Sequence, residues 1–199
     1  MLLYDSPESG NCYKVRLMLA RTGIAYERVE LSVVDRSNRE SVIGRAANPA
    51  LRVPTLLLDD GRSLAESCAI IWFLAEGTPL LPTDAFERAQ VLQWMFFEQY
   101  DHEPNIAVAR FWLHLGGTAP DPAALAAKQE GGRRALAAME FHLATRRFLV
   151  GERFSAADIA LYAYTHVAHE AGIDVRPYPA VREWLARVAS QPGHIPIEA

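Results

Sequence analysis

The sequence predicts an α/β domain built on a mixed four-stranded sheet, followed by an all-helical domain. Two observations support this prediction. Up to residue 76 the predicted elements come in the order β-α-β, a connection, and β-β-α, whereas every periodic segment after Pro82 has helical spacing. A parallel βαβ unit followed by a hairpin forms a mixed sheet flanked by helices. We therefore expect domains at residues 1–76 and 85–199, joined by a linker at residues 77–84 that contains a glycine and two prolines.

The βαβ unit begins with a short apolar strand at residues 2–4. The polar cluster at residues 6–10 predicts a turn. Apolar residues then recur at helical spacing from Asn11, and Gly23 is expected to end this helix as its C-cap. A second strand is predicted at residues 26–31, before a polar stretch that is typical of a loose helix and loop.

A hairpin and a helix complete this domain. Residues 53–58 form a predicted strand, and the two aspartates and the glycine at residues 59–61 are typical of a tight hairpin turn. The return strand begins at Ser63, and residues 67–75 form an apolar helix. The hairpin adds two strands to those of the βαβ unit, which gives the four strands of the predicted sheet.

Helical periodicity continues through the second domain. An aromatic-rich helix is predicted from residue 85 to about residue 115, and the glycines and prolines at residues 116–122 break the pattern. A second helix is predicted at residues 123–146. A capping box at residues 155–158 opens a third helix, and residues 178–189 form a fourth.

Composition and charge argue against several classes of function. The net charge is −4 and the arginines are scattered, which argues against the basic face that nucleic acids require. The longest apolar run, at residues 69–75, is far shorter than the ~20 residues of a membrane-spanning helix. Asp5 follows a very short apolar stretch, so no secretory leader is recognisable. Two cysteines make no disulfide framework, and we expect a reducing, cytoplasmic setting.

Three local motifs are candidates for chemistry, and the first is Val53-Pro54 at the head of a strand. Because proline cannot donate to a sheet ladder, it must lie at an edge or a turn, and its peptide bond can be cis. The backbone of Val53 can then pair with an extended ligand. Taken alone, a proline that merely starts a strand is the simpler interpretation.

The second motif is Glu66-Ser67 at the start of an apolar helix. Backbone N–H groups at a helix start attract a carboxylate, and the serine hydroxyl can add a hydrogen bond. Glu66 can hold an ammonium group, so the two residues together can bind both charges of an α-amino acid. The alternative interpretation is an ordinary N-cap with an acidic residue in the first turn.

The third motif is the turn Ser9-Gly10-Asn11-Cys12, just before the first helix. A hydroxyl beside the positive end of the helix dipole can stabilise a thiolate. Small polar residues are also common in any turn between a strand and a helix. Ser9 or Asn11 can therefore be a helix cap and nothing more.

Taken in order, these motifs resemble the glutathione-binding framework of the cytosolic glutathione transferases. The resemblance includes the turn at residues 6–16, Asn48-Pro49, Val53-Pro54 with Thr55-Leu56, and Glu66-Ser67 followed by Ala69-Ile70. The capping box at residues 155–160 is similar to the motif of that family's helical domain. The resemblance covers essentially the whole chain, and it implies a thioredoxin-like N-terminal domain before the all-helical C-terminal domain.

The resemblance implies a glutathione transferase in which glutathione is a co-substrate and no metal or other cofactor takes part. Val53 would pair with the cysteinyl part of glutathione beside a cis proline, and Glu66 and Ser67 would bind its γ-glutamyl end. Arg39 and Arg52 are further candidates, for the glycine carboxylate or the rim of the site. The second substrate is expected to be a small hydrophobic electrophile, as in detoxification. Family analogy also implies a homodimer.

The residue that activates the thiol differs between classes of this family, which use a tyrosine, serine, cysteine or asparagine near the first helix. Ser9 stands at the serine-type position and is the first candidate. Asn11 stands where some bacterial members have an asparagine and is the second. Cys12 lies slightly out of register with the cysteine-type pattern and is the third. Tyr4 lies one step away from a tyrosine-type position.

The pocket for the second substrate is expected along the aromatic-rich helix. Its candidate residues are Phe97, Tyr100, Ile106, Arg110 and Trp112. Two alternative functions remain open. A glutathione-dependent thiol-disulfide oxidoreductase of the same fold would use Cys12, and a non-catalytic binding module would keep the fold without the reaction.

Overall fold

The computed structural model describes residues 1–116 and 121–199. These residues divide into two compact units. The N-terminal unit contains residues 1–78 together with residues 192–199, and the helical unit contains residues 79–191. The predicted α/β and all-helical domains are therefore both present. Residues 192–199, which the sequence assigns to the helical domain, belong to the N-terminal unit instead.

The sheet of the N-terminal unit contains strands β1 (Leu2–Asp5), β2 (Glu27–Glu30), β3 (Thr55–Leu57) and β4 (Ser63–Ala65). Their order is β2-β1-β3-β4. β1 and β2 are parallel, whereas β3 is antiparallel to both β1 and β4. Leu3 and Leu56 pair across the two central strands, and both are completely buried. These observations confirm the predicted mixed four-stranded sheet.

The helices of this unit are α1 (Gly10–Thr22), α2 (Arg39–Val42) and α3 (Ser67–Ala75). Helices α1 and α3 pack against each other, and Val15 and Ile70 are completely buried. Gly23 ends α1 with a left-handed φ of 67°, and its N–H donates to the Leu19 carbonyl. The predicted glycine C-cap is thereby confirmed.

The C-terminal segment at residues 192–199 is bound to α1 by buried donors. The Tyr13 hydroxyl donates to the Ile195 carbonyl at 2.7 Å, and the Arg16 guanidinium donates to the Ile197 carbonyl. Both donors belong to completely buried residues, so the segment supplies acceptors to groups that have lost contact with water. These long-range bonds place the end of the chain in the N-terminal unit.

The helical unit contains α4 (Ala85–Phe97), α5 (Glu103–Arg110), α6 (Pro122–Leu143), α7 (Ala156–Thr165) and α8 (Pro179–Ala189). π-helical turns at Glu98–His102 and Phe111–Leu115 follow α4 and α5, and a 3₁₀ turn at Ala168–Ala171 follows α7. Gly117 and Pro120, which belong to the predicted break, lie outside the described residues. Across residues 1–116 and 121–199, none of the helices has both the length and the apolar character of a membrane span.

Helices α5 and α6 approach each other closely at two glycines. A Cβ atom on Gly132 would lie 3.1 Å from Ile106 Cγ1 and 2.5 Å from Ile173 Cδ1. A Cβ atom on Gly131 would lie 2.4 Å from Asn105 Oδ1. The glycines lower the intrinsic helix propensity of α6, but they allow this close contact. Ile106 is completely buried as a result.

Asp158 connects the start of α7 to its surroundings. Its Oδ2 accepts from the Ser155 N–H at 2.8 Å and from the Ser155 hydroxyl at 3.0 Å, which confirms the predicted capping box. Its Oδ1 accepts from the Leu149 N–H at 3.0 Å and from Trp184 Nε1 at 2.9 Å. Burial raises the pKa of Asp158 to about 6, and these hydrogen bonds oppose that rise. One buried carboxylate therefore joins α7, α8 and the preceding loop.

Replacing Asp158 with alanine is expected to lower the free energy of unfolding by about 3 kcal/mol or more. Four buried donor bonds lose their acceptor at once. Asp84→Ala is the matched control, because Asp84 is exposed and caps α4 through the Glu87 N–H alone. The control should lose only about 1 kcal/mol. Urea denaturation of both variants measures the difference, and equal losses would contradict the role given to Asp158.

Candidate functional site

Strand pairing brings the three sequence motifs to one end of the sheet. Tyr4 near the end of β1 pairs with Thr55 at the start of β3, and Thr55 pairs with Ala65 at the end of β4. The β1–α1 turn, the Val53-Pro54 pair and the start of α3 follow or precede these strand ends directly. Motifs that are distant in the sequence therefore lie side by side.

The β1–α1 turn is held by buried hydrogen bonds. The Ser9 N–H donates to the Ser6 carbonyl at 3.1 Å, and Ser9 Oγ accepts from the Cys12 N–H at 3.3 Å. From within α1, Arg16 donates to the same Ser6 carbonyl at 3.1 Å. Ser9 is thus the N-cap of α1, as one of the two interpretations of the turn predicted. A hydroxyl that accepts at a cap keeps a proton to donate, so a second role for Ser9 is compatible with this geometry.

Cys12 lies beneath this turn and has no exposed surface. Burial raises the pKa of its thiol, the charge of Asp5 raises it further, and hydrogen bonds involving Ser9 and Ser6 act in the opposite direction. A nucleophilic cysteine needs a lowered pKa and access for its substrate. The structure therefore argues against Cys12, the third candidate for the catalytic residue.

Asn11, Lys14 and Ser67 connect the first helix to the third. The Ser67 hydroxyl donates to Asn11 Oδ1 at 3.1 Å. Lys14 Nζ donates to the same oxygen at 2.8 Å and to Ser67 Oγ at 3.3 Å. Lys14 is completely buried, and Ser67 is nearly so. Side chains at the N-termini of α1 and α3 are therefore hydrogen-bonded to each other.

No role was predicted for Lys14, although two signals in the sequence point to it. The chain contains only two lysines, of which Lys14 is the first and Lys128 the second. Lys14 also follows Asn11 by three positions, which places both side chains on one face of α1. Its burial and its contact with Ser67 depend on α3, which no local pattern reveals.

Glu66 has a strained backbone immediately before α3. Its φ is 68°, in the left-handed region that residues with a side chain rarely adopt. The side chain is exposed, while the Glu66 carbonyl accepts from the Ile70 N–H at 2.9 Å. Backbone strain of this kind persists where the surrounding structure holds the residue in place, and strained residues cluster at binding and active sites. Here it leaves an exposed carboxylate beside the buried Ser67 hydroxyl.

The Val53-Pro54 peptide bond is cis, as the family resemblance implied. Pro54 is buried directly before β3, and Val53 is half-buried. The side chain of Arg52 is exposed, and its carbonyl accepts from the Thr55 hydroxyl at 2.8 Å. This side-chain hydrogen bond therefore fixes the backbone of residues 52–55, at the start of β3.

Arg39, at the start of α2, is a buried cation. Its Nη2 donates to the Ser32 carbonyl, whereas Nε and Nη1 have no hydrogen-bond partner in the described part of the chain. Burial lowers the pKa of this guanidinium, and the charge of Arg36 adds to that effect. Both of these nitrogens are themselves buried, so Arg39 presents no surface to a ligand in the described part of the chain. Among the described residues, no group of acidic, histidine and cysteine side chains is arranged to hold a metal ion.

Comparison with known proteins assigns the family. The model of the glutathione S-transferase N-terminal domain matches residues 3–80, and that of the C-terminal domain matches residues 95–192. Glutathione S-transferase 3 from Zea mays is 31% identical, over 96% of this chain and 90% of its own length. The chain belongs to the glutathione S-transferase family. The family resemblance and the fold that it implied are therefore confirmed.

Solved structures of the family have the same architecture. A glutathione S-transferase from Pseudomonas fluorescens is 45% identical, with a TM-score of 0.94 over 98% of each chain. Yeast Ure2p in complex with S-hexylglutathione is 25% identical, with a TM-score of 0.87 over 96% of this chain and 95% of that one. The similarity includes both units of the transferase fold.

Relatives of this chain carry different functional names. Elongation factor 1-gamma from Artemia salina is 33% identical, but the chain spans only 44% of that protein's length. The disulfide-bond oxidoreductase YfcG from Escherichia coli K12 is 30% identical, over 96% of this chain and 91% of its own length. Membership of the glutathione S-transferase family therefore does not select one activity.

Two of the predicted pocket residues are unsuited to contact a substrate of this transferase-family protein. Ile106 is completely buried in the contact between α5 and α6. Arg110 is only 3% exposed, and its Nε donates to Glu170 at 2.5 Å. Neither residue presents a surface to a ligand. The prediction that they line the pocket is corrected on this ground.

The other three pocket candidates retain exposed surface. Tyr100 is 83% exposed, and Phe97 and Trp112 are half-buried. A cavity of about 260 Å³ in the helical unit is lined by Phe97, Asp101, Asn105, Gly131, Arg134 and Ala135. Phe97 therefore borders a space with polar as well as apolar walls.

The strained backbone at Glu66 leads to a stability prediction. Glycine adopts a φ of 68° without a side-chain penalty, so Glu66→Gly should be about 1 kcal/mol more stable than Glu66→Ala. Both variants lack the carboxylate, which isolates the backbone effect. Urea denaturation of the pair measures the difference. A Glu66→Ala variant as stable as Glu66→Gly would show that this backbone is not strained.

Proposed function

We propose that this chain is a glutathione transferase, which ionises the thiol of glutathione and directs the sulfur to an electrophilic carbon. The observation that best supports the proposal is the 3.1 Å hydrogen bond from Ser67 to Asn11, which unites the N-termini of α1 and α3 in one site. The N-terminus of α1 can stabilise an anionic sulfur, and the N-terminus of α3 can bind a carboxylate. Glutathione carries both groups, separated by an extended peptide.

In this proposal glutathione lies along the shared end of the strands. Its γ-glutamyl carboxylate binds the start of α3 and Ser67, and its ammonium group binds Glu66. The backbone of Val53 pairs with the cysteinyl part. The exposed Arg52 is the candidate for the glycine carboxylate or the rim of the site, because the guanidinium of Arg39 is buried. The structures of Ure2p with glutathione and with S-hexylglutathione support this class of ligand.

Ser9 is the first candidate for the group that stabilises the thiolate, and Asn11 is the second. A free thiol has a pKa of ~8.5, so only a few per cent is ionised at neutral pH. Lowering this pKa by ~2 units corresponds to ~2.7 kcal/mol. One charge-assisted hydrogen bond from Ser9 or Asn11, together with the N-terminus of α1, can supply that amount.

The second substrate in this proposal is a small hydrophobic electrophile. Phe97, Tyr100 and Trp112 are the aromatic side chains available to contact it, since each retains exposed surface. A homodimer, a cytoplasmic setting and a role in detoxification complete the proposal by analogy with the family.

Thiol-disulfide exchange is the second candidate function, because an E. coli oxidoreductase is 30% identical. The burial of Cys12 argues against that cysteine as the reacting group, and glutathione would supply the thiol in this candidate function. A non-catalytic binding module is the third, since elongation factor 1-gamma is 33% identical. Assays of glutathione conjugation to an activated chloroarene and of small-disulfide reduction separate the first two. A protein that binds glutathione without turning over either substrate belongs to the third.

Glu66→Ala and Ser67→Ala are expected to raise the KM for glutathione far more than they change kcat. Both residues are proposed to hold the γ-glutamyl end, away from the sulfur, so they bind the ground and transition states alike. Steady-state kinetics at varied glutathione concentration test this expectation. An unchanged KM in both variants would contradict the proposal that Glu66 and Ser67 bind the γ-glutamyl end of glutathione.

Ser9→Ala is expected to lower kcat roughly ten- to a hundredfold. The hydrogen bond it removes from the thiolate is worth ~1.5–3 kcal/mol, and 1.36 kcal/mol is a factor of ten in rate. The pH profile of kcat/KM for the electrophile, measured at saturating glutathione, should shift to higher pH, because the thiol of bound glutathione becomes harder to ionise. Asn11→Ala and Cys12→Ala are the comparison variants. Full activity in Ser9→Ala with loss of activity in Asn11→Ala would transfer the role to Asn11.

A further inference from the structure

Lys14 places a positive charge in the interior of the N-terminal unit. The residue is completely buried in α1, and its ammonium group donates to Asn11 Oδ1 at 2.8 Å and to Ser67 Oγ at 3.3 Å. An ammonium group can only donate, so both oxygens act as acceptors in these bonds. The charge of Lys14 therefore stands directly behind two side chains of the proposed glutathione site.

The direction of each hydrogen bond follows from these contacts. Ser67 Oγ accepts from Lys14 and donates its single proton to Asn11 Oδ1 at 3.1 Å. Asn11 Oδ1 then has two donors, which occupies both lone pairs of a carbonyl oxygen. The Asn11 amide is held in one orientation, with its oxygen toward Lys14.

The Ser67 hydroxyl is the member of this cluster that can change partner. If a carboxylate binds at the start of α3, the hydroxyl turns from Asn11 Oδ1 to the carboxylate while its oxygen continues to accept from Lys14. Asn11 Oδ1 keeps its bond to Lys14, so no buried acceptor loses all its donors. A hydroxyl that accepts from an ammonium group is also polarised into a stronger donor.

We propose that Lys14 is a positioning residue for glutathione, which strengthens recognition of the γ-glutamyl α-carboxylate through the Ser67 hydroxyl and holds the amide of Asn11. This inference rests on the proposed function, since it takes glutathione as the ligand. It adds a recognition element that lies behind the binding surface. The charge of Lys14 should therefore strengthen binding of the γ-glutamyl α-carboxylate and leave the other contacts of glutathione unchanged.

A comparison of two ligands tests this coupling. The probes are glutathione and its analogue 4-aminobutyryl-cysteinyl-glycine, which lacks only the γ-glutamyl α-carboxylate, and titration calorimetry measures both dissociation constants. The wild-type protein is expected to prefer glutathione by about tenfold or more. In Lys14→Met this preference should shrink to about threefold or less, because the hydroxyl has lost the charge behind it. Lys128→Met, the same substitution at the other lysine, should keep the wild-type preference.

The ratio of the two dissociation constants distinguishes a role of Lys14 in recognition from a purely structural role. A structural defect in Lys14→Met would weaken both ligands by the same factor and leave their ratio unchanged, which would overturn the proposal. Lys14→Gln is the second variant, because it keeps a neutral donor for Asn11 Oδ1 if the methionine variant does not fold. It should show the same loss of preference. A wild-type protein that binds neither ligand would overturn the proposed function itself, whereas normal binding with an unchanged ratio in the variants overturns the role of Lys14 alone.

Discussion

The buried ion pair between Arg16 and Asp5 is the interaction on which the N-terminal unit depends. Both side chains are completely inaccessible, and Arg16 Nη1 lies 2.7 Å and 2.9 Å from the two carboxylate oxygens. The same guanidinium donates to the carbonyls of Ser6, Pro7 and Ile197. Removing one partner of such a pair leaves an uncompensated charge in the interior, at a cost of about 3–5 kcal/mol. One side chain thus sets the relative positions of β1, the following turn, α1 and the C-terminal segment.

The candidate site uses the geometry that this pair creates. The turn held by Arg16 presents Ser9 and Asn11 at the start of α1, and α3 brings Ser67 to Asn11. Two features of the N-terminal unit are unfavourable in the described structure. Arg39 has unused guanidinium nitrogens, and Glu66 has a strained backbone beside an exposed carboxylate. Of these, backbone strain such as that of Glu66 is typical of binding and active sites.

Family membership and chemical role are separate questions for this chain. Its relatives are named as a glutathione S-transferase, as a disulfide-bond oxidoreductase and as elongation factor 1-gamma. What distinguishes activities is the environment of a few side chains. Here burial makes Cys12 unsuited to act as a nucleophile, whereas the Lys14 cluster lies where an amino-acid carboxylate is proposed to bind.

Local sequence patterns predicted most of the strands and helices, the order of the two domains and the ends of several elements. Those features depend on neighbours within a few positions, as Gly23 at the end of α1 and the capping box at Asp158 show. Burial and long-range pairing, by contrast, became visible only in the folded chain. Folding buried Cys12, paired Arg110 with Glu170, and placed the C-terminal segment against α1. These outcomes depend on residues far apart in the chain, and a local pattern contains no information about which of them will meet.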